Sequence, residues 1–157
     1  LLSNHLQFKD IVLDGDVNSF TQKLVDEGYF LPSDQDNDNF IQLFGSFIEE
    51  PSTIQVHFTP SSKTVFRVDV LQINLDRAAL RKSFTEVRSL YSQKYGSPDI
   101  VLDVCFWEVP HGGLCVMLDE DNSAVHITYE DTSNSDKNQE ERAMMKQERT
   151  KRALDEI

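Results

Sequence analysis

The chain has little that names a chemistry: two cysteines, one tryptophan and four histidines in 157 residues. It has no G-x-S-x-G elbow and no closely spaced cysteine pair. Before the C-terminal quarter there is no lysine- or arginine-rich run. Each absence excludes something. No apolar stretch approaches the roughly 20 residues that a helix needs to cross a bilayer, so no transmembrane segment is expected. With a formal net charge of −12 and no basic cluster, the surface repels phosphate backbones, which argues against nucleic acid as a partner. Cys105 and Cys115 lie on two runs that read as the arms of one hairpin, and neither has a second ligand two to four residues away, as a zinc site would require. Directly opposed cysteines on paired strands make poor disulfide geometry, so both are expected as small buried thiols.

What is present is enough for a core. Hydrophobic residues make up 39% of the chain and aromatics 10%, ten of them Phe, which is sufficient apolar surface to offset the entropy of folding. The length fits one domain, expected over 1–130, where 20 acidic residues face nine basic ones. Leu1 rather than Met at the start points to an upstream segment, a signal peptide or lipoprotein leader.

Periodicity sets the expected elements. Leu6 and Phe8 alternate in a short edge strand before the Asp14-Gly15 turn. Asp16 is placed as an N-cap, Val17, Phe20 and Leu24 form a helical stripe, and Gly28 stops it. Strands are expected over 40–48, 53–59 and 64–73. In these, Ile54, Val56 and Phe58 oppose Gln55, His57 and Thr59, while Phe66, Val68 and Val70 oppose Arg67 and Asp69. A second helix over 76–95 carries Leu80, Phe84, Val87 and Tyr91 on one stripe, and strands follow over 104–109, 114–118 and 124–129. The order β-α-βββ-α-βββ is a weak tandem repeat. It predicts an α+β fold: an antiparallel sheet of six to seven strands with two helices packed on one face, plus a charged C-terminal helix. Residues 131–157 are read as a polar linker followed by that helix, with Glu148 and Arg152 at a supportive spacing. The helix is a possible route to an oligomer.

Two sets of residues are candidates for function. "SDQDNDNFIQLFG" puts Asp34, Asp36 and Asp38 where a calcium loop places its first carboxylates. Gly45 stands at the twelfth position in place of the closing Glu, and a strand-like run follows instead of a helix, so a solvated loop with at most weak calcium binding is expected. "LDEDN" (118–122) reads as a hairpin turn, and so does "PHGGL", despite its likeness to an esterase oxyanion loop. The second set is the polar side of the sheet. His57 and His126 are expected to meet there, and with Arg67, Asp69, Glu108 and Thr128 they offer hydrogen-bonding groups to a protein or small ligand. Trp107 is either core or an exposed anchor, depending on which side of its strand meets the helices.

The opening, "LQFKDIVLDGDVNSFTQKLVDEGY", resembles that of uncharacterised exported proteins of Bacteroides-type bacteria, which read F-K-G-I-P-I-D-G and then F-x-x-K-L-x-x-K-G-F. Phe8, Lys9, Ile11, Asp14, Gly15, Phe20, Lys23, Leu24 and Gly28 match, while Asp10 and Val12 stand in place of Gly and Pro. The resemblance implies a cell-envelope or secreted setting and brings no activity with it. The resulting expectation is a non-catalytic binding module of the bacterial cell envelope acting through its open sheet face and acidic loops. The alternatives are a small hydrolase or metal-dependent enzyme on that face, or an assembly protein acting through the C-terminal helix.

Overall fold

A computed structural model describes residues 4–157. Its elements are β1 (Gln7–Phe8), β2 (Ile11–Val12), α1 (Val17–Asp26), β3 (Phe40–Phe47), β4 (Glu50–Phe58), β5 (Val65–Ile73), α2 (Arg77–Tyr95), β6 (Asp99–Val101), β7 (Val104–Val109), β8 (Gly112–Asp119), β9 (Ala124–Asp131) and α3 (Thr132–Glu156). Strands β3 to β9 form one seven-stranded antiparallel sheet in the order β3-β4-β5-β9-β8-β7-β6. Each half is a helix followed by a meander, and the halves join where their last strands, β5 and β9, pair from Arg67↔Glu130 to Ile73↔Ala124.

Alternation sends one side of every strand into a shared core. Ile54, Val56, Val68, Val70, Val116 and Ile127 are fully buried, in one cluster with Phe20 and Leu24 of α1 and Leu80, Phe84 and Tyr91 of α2. Both helices therefore cover the same face of the sheet, α1 over β4 and α2 over β7, β8 and β9. Their starts are fixed by side-chain caps. Asp16 accepts from the N–H groups of Asn18 and Ser19, and Asp76 from those of Ala78 and Ala79, satisfying donors that the first turn leaves open. Trp107 belongs to the core, its indole N–H donating to the Gly96 carbonyl at 2.8 Å.

Several expectations are corrected. The first strand is not an edge of the main sheet. It folds back as a two-stranded hairpin through Lys9 and Asp10, both at positive φ, and drives Phe8 into the core against Phe47 and Tyr129. The β3–β4 turn lies at Ile48-Glu49, at φ 53° and 60°, so Glu50 and Pro51 belong to β4 rather than to a loop. Strand β6 had no alternation to announce it, because all three of its residues are exposed on the sheet edge. Phe66 is buried but does not point with Val68: the pairing slips between His57 and Phe58, and the extra residue turns Phe66 edge-on to the His57 ring at 6.3 Å.

The polar linker is also absent. Helix α3 starts directly after β9, because buried Asp131 ends the strand and caps the helix, accepting from the Asn134 N–H at 3.0 Å and the Leu6 N–H at 2.8 Å. Asn134 then donates to the Leu13 carbonyl and to Asp14. The Glu141 carboxylate takes the Ser61 and Ser62 N–H groups and the Ser62 hydroxyl. The first turns of α3 thus tie the N-terminal segment to the β4–β5 loop, and the remainder, from residue 142, is exposed.

At Gly45 the Tyr29 ring lies flat on the strand, and a Cβ there would stand 2.5 Å from ring carbon Cδ1, while the Tyr29 hydroxyl donates to the Ser46 carbonyl. Gly45→Ala is therefore expected to destabilise the chain by about 1–3 kcal/mol in urea unfolding, as overpacking does. An unchanged midpoint would show that Tyr29 can move aside freely.

Candidate functional site

The uncovered face of the sheet has a charged centre. Register places His57, Arg67 and Glu130 in one row across β4, β5 and β9, and Gln55, Asp69, Thr128 and Cys115 in the next. His126 follows, opposite Leu71. Side chains two residues apart on one strand, or directly opposite on its neighbour, share a face within reach of one another. Four groups therefore converge on Asp69. The Arg67 guanidinium grips both its oxygens, with Nη2 at 2.6 Å from Oδ2 and Nε at 3.0 Å from Oδ1. Thr128 donates its hydroxyl to Oδ1 at 2.9 Å. His57 Nε2 stands 3.0 Å from Oδ2, and His126 Nε2 stands 3.9 Å from the same atom.

Although it lies on the face opposite the helices, Asp69 is only 1% exposed. Burial alone would raise its pKa. The approach of His126 and His57 and the fork from Arg67 outweigh that cost and hold the carboxyl far below its ordinary 3.8. Arg67 is raised in turn, chiefly by its hydrogen bonds to Asp69. Both imidazole Nε2 atoms are buried and lack hydrogen-bond alignment with any described group; His57 approaches Asp69 closely without the alignment of a hydrogen bond. Around this centre the face turns apolar. Phe40 packs on His57 at 5.0 Å between ring centres, and Phe44, Ile73 and Phe106 stand exposed.

Of the six residues expected on this face, five assemble: His57, Arg67, Asp69, His126 and Thr128. Glu108 shares the face but lies in the row of Gly113 and Glu130, exposed and apart from the cluster. Sequence reasoning missed Glu130 opposite Arg67 and Cys115 opposite Thr128, since neither pairing exists until β5, β9 and β8 are aligned. Cys105 and Cys115 are free and face opposite sides of the sheet, Cys105 pairing with Val116 and Cys115 with Phe106. Burial, with Cys105 and Asp69 nearby, pushes the Cys115 thiol up to about 11.

Asp34, Asp36 and Asp38 lie in an exposed loop held by Gln35, whose side chain bonds both backbone groups of Gln42 like a one-residue strand. Among the described residues no three His, Cys, Asp or Glu side chains are arranged to hold a metal ion. The Arg67 fork already occupies the carboxylate that such an ion would need.

Removing the Asp69 charge leaves the partly exposed Arg67 without its partner, a loss of about 1–2 kcal/mol for Asp69→Ala or Asp69→Asn once solvent screening of the guanidinium is allowed for. Because the folded carboxyl titrates below the unfolded one, its contribution is complete above about pH 4 and is lost as pH falls further. Urea unfolding of the wild type and Asp69→Asn is expected to show a constant gap near neutrality that narrows below about pH 4. A gap that widens on acidification contradicts this assignment.

Compared with known proteins, the chain matches no family model, no curated protein and no solved structure.

Proposed function

We propose that the chain is a non-catalytic binding module that engages a protein partner through the uncovered sheet face. The carrying observation is the composition of that face: a buried Asp69 gripped by the partly exposed Arg67, with two imidazoles beside it, flanked by exposed Phe44, Phe106 and Ile73. Aromatic and arginine anchors amid polar groups are the composition of interface hot spots. The same groups do not suit nucleophilic chemistry. The Thr128 hydroxyl is spent on Asp69, and the Cys115 thiol, held near 11, is protonated at neutral pH. The net charge of −11 over residues 1–130, with acidic loops around the face, would draw a basic partner at low ionic strength. A bacterial cell-envelope setting is part of this proposal and rests on the resemblance of the N-terminal strand-turn-helix.

Phe44→Glu and Phe106→Glu lie outside the core and are expected to fold. Leu102→Glu, at the exposed β6–β7 turn, is the control. Quantitative mass spectrometry after affinity capture is expected to find a protein held by the wild type and Leu102→Glu but lost roughly tenfold or more with the face variants. A partner that tolerates both face variants moves the contact elsewhere.

A second reading, assembly through α3, is favoured by one observation. Residues 143–157 are all exposed, and Ala143, Gln147, Thr150, Leu154 and Ile157 recur at alternating intervals of four and three residues, the spacing of a coiled-coil seam. Since residues 132–141 are docked on the body, the informative truncation ends at residue 142. Sedimentation equilibrium is expected to show an oligomer for the full chain and a monomer for the truncated one, and a monomeric full chain removes this reading.

A further inference from the structure

A cavity lies on the opposite side of the sheet from the charged face. It is a groove of about 700 Å³ between the β1–β2 hairpin and α2. One end is walled by Phe47 and Ile48, beside the β3–β4 turn, and the other by Val109 and Pro110, beside the β7–β8 turn. The groove gathers around the hairpin, whose Phe8 ring lies 5.3 Å from Phe47 and 5.0 Å from Tyr129 between ring centres. It exists because the two helices stand over different halves of the sheet and the hairpin fills only part of the gap, plugging it with Phe8.

Its walls are mainly apolar and aromatic, with half-exposed Leu90 on α2, and three features give it polarity. Tyr91 and Tyr129 line it with their hydroxyls bonded to each other at 2.5 Å. Two hydroxyls carry two protons and one bond between them uses one, so the pair keeps a second O–H to donate. Burial raises both phenols well above the ordinary 10, which keeps them as neutral donors. Lys94, one turn from Tyr91 on α2, lies over the Tyr95 ring, with no carboxylate in ion-pair reach among the described residues. Lys9, on the facing hairpin, is already held by Glu27 at 3.8 Å, and Asp10 beside it disfavours an anion at that wall. Lys94 and the Tyr91–Tyr129 hydroxyl pair thus both line the groove, in a chain that is otherwise strongly acidic.

We infer that this groove binds a small amphipathic carboxylate, an alkyl chain with an acid head. The head takes the spare tyrosine O–H and the Lys94 ammonium, and the chain lies along Leu90, Phe47 and Ile48. The site is independent of the proposed sheet-face contact, and neither depends on the other.

Dodecanoate is the probe and dodecyltrimethylammonium, with the same chain and the opposite head charge, is the comparison. Isothermal titration of the full chain is expected to show one saturable dodecanoate site, with the ammonium weaker by roughly tenfold or more. Lys94→Glu is expected to weaken dodecanoate by about five- to tenfold, as is the double variant Tyr91→Phe/Tyr129→Phe, which removes both hydroxyls where Tyr91→Phe alone would leave the Tyr129 O–H free to donate, and Leu90→Glu is expected to abolish binding. Lys94 and Leu90 are exposed enough that their variants fold even if the double tyrosine variant does not, and Phe106→Glu on the other face is expected to bind as the wild type does. Equal binding of the two detergents, indifference to Lys94→Glu and Leu90→Glu, or no saturation by about 1 mM dodecanoate overturns the assignment.

Discussion

The pairing of β5 with β9 is the constraint on which the rest depends. Neither meander could bury its inner face alone: three strands with a helix of ten residues, or four with a helix of nineteen, make a thin layer with one flank open. Joined through seven residue pairs, they form a single layer whose inner residues meet both helices in one cluster. The outer consequence is as large. Asp69 and Arg67 come from one half and Thr128, Glu130 and His126 from the other, so the charged centre straddles the seam and exists only while the halves are joined.

That centre is costly to build. Placing a carboxylate at 1% exposure forfeits its hydration, and the structure answers with a guanidinium fork, a hydroxyl and two nearby imidazoles. A bulge beside the cluster turns Phe66 toward His57 and helps shut water out. Such groups specify one strand register, since a slip by one residue would send Asp69 into the apolar layer and Val68 or Val70 into the polar one. Among the described residues the two Nε2 atoms of this centre have no hydrogen-bond partner, and they lie on the side of the sheet opposite α1 and α2.

The two faces divide the chemistry. One is broad and mixed in polarity. The other is mostly filled by helices and keeps a groove between the hairpin and α2. Helix α3 serves neither directly. Its first turns close the bottom of the domain through Asp131, Asn134 and Glu141, and the rest projects as a charged rod with its small apolar residues unpartnered.

The sequence by itself determined the elements whose residues repeat with a period. The two amphipathic helices, their aspartate caps and the alternating strands all follow from side-chain direction, which is a local property. That periodicity also put His57, Arg67, Asp69, His126 and Thr128 on the same side of the sheet. Only the tertiary structure decided that they touch, because contact requires the long-range register of β4, β5 and β9, while Glu108, equally polar, on the same side and in the row of Arg67, falls three strands from it on β7. Turns made by Lys9-Asp10 and Ile48-Glu49 carry no glycine to announce their positive φ, and residues 131–139 read as a linker until Asp131 is buried as the cap of α3. The groove was invisible for the same reason: it is an unfilled space between elements, and a sequence records residues rather than the gaps their packing leaves.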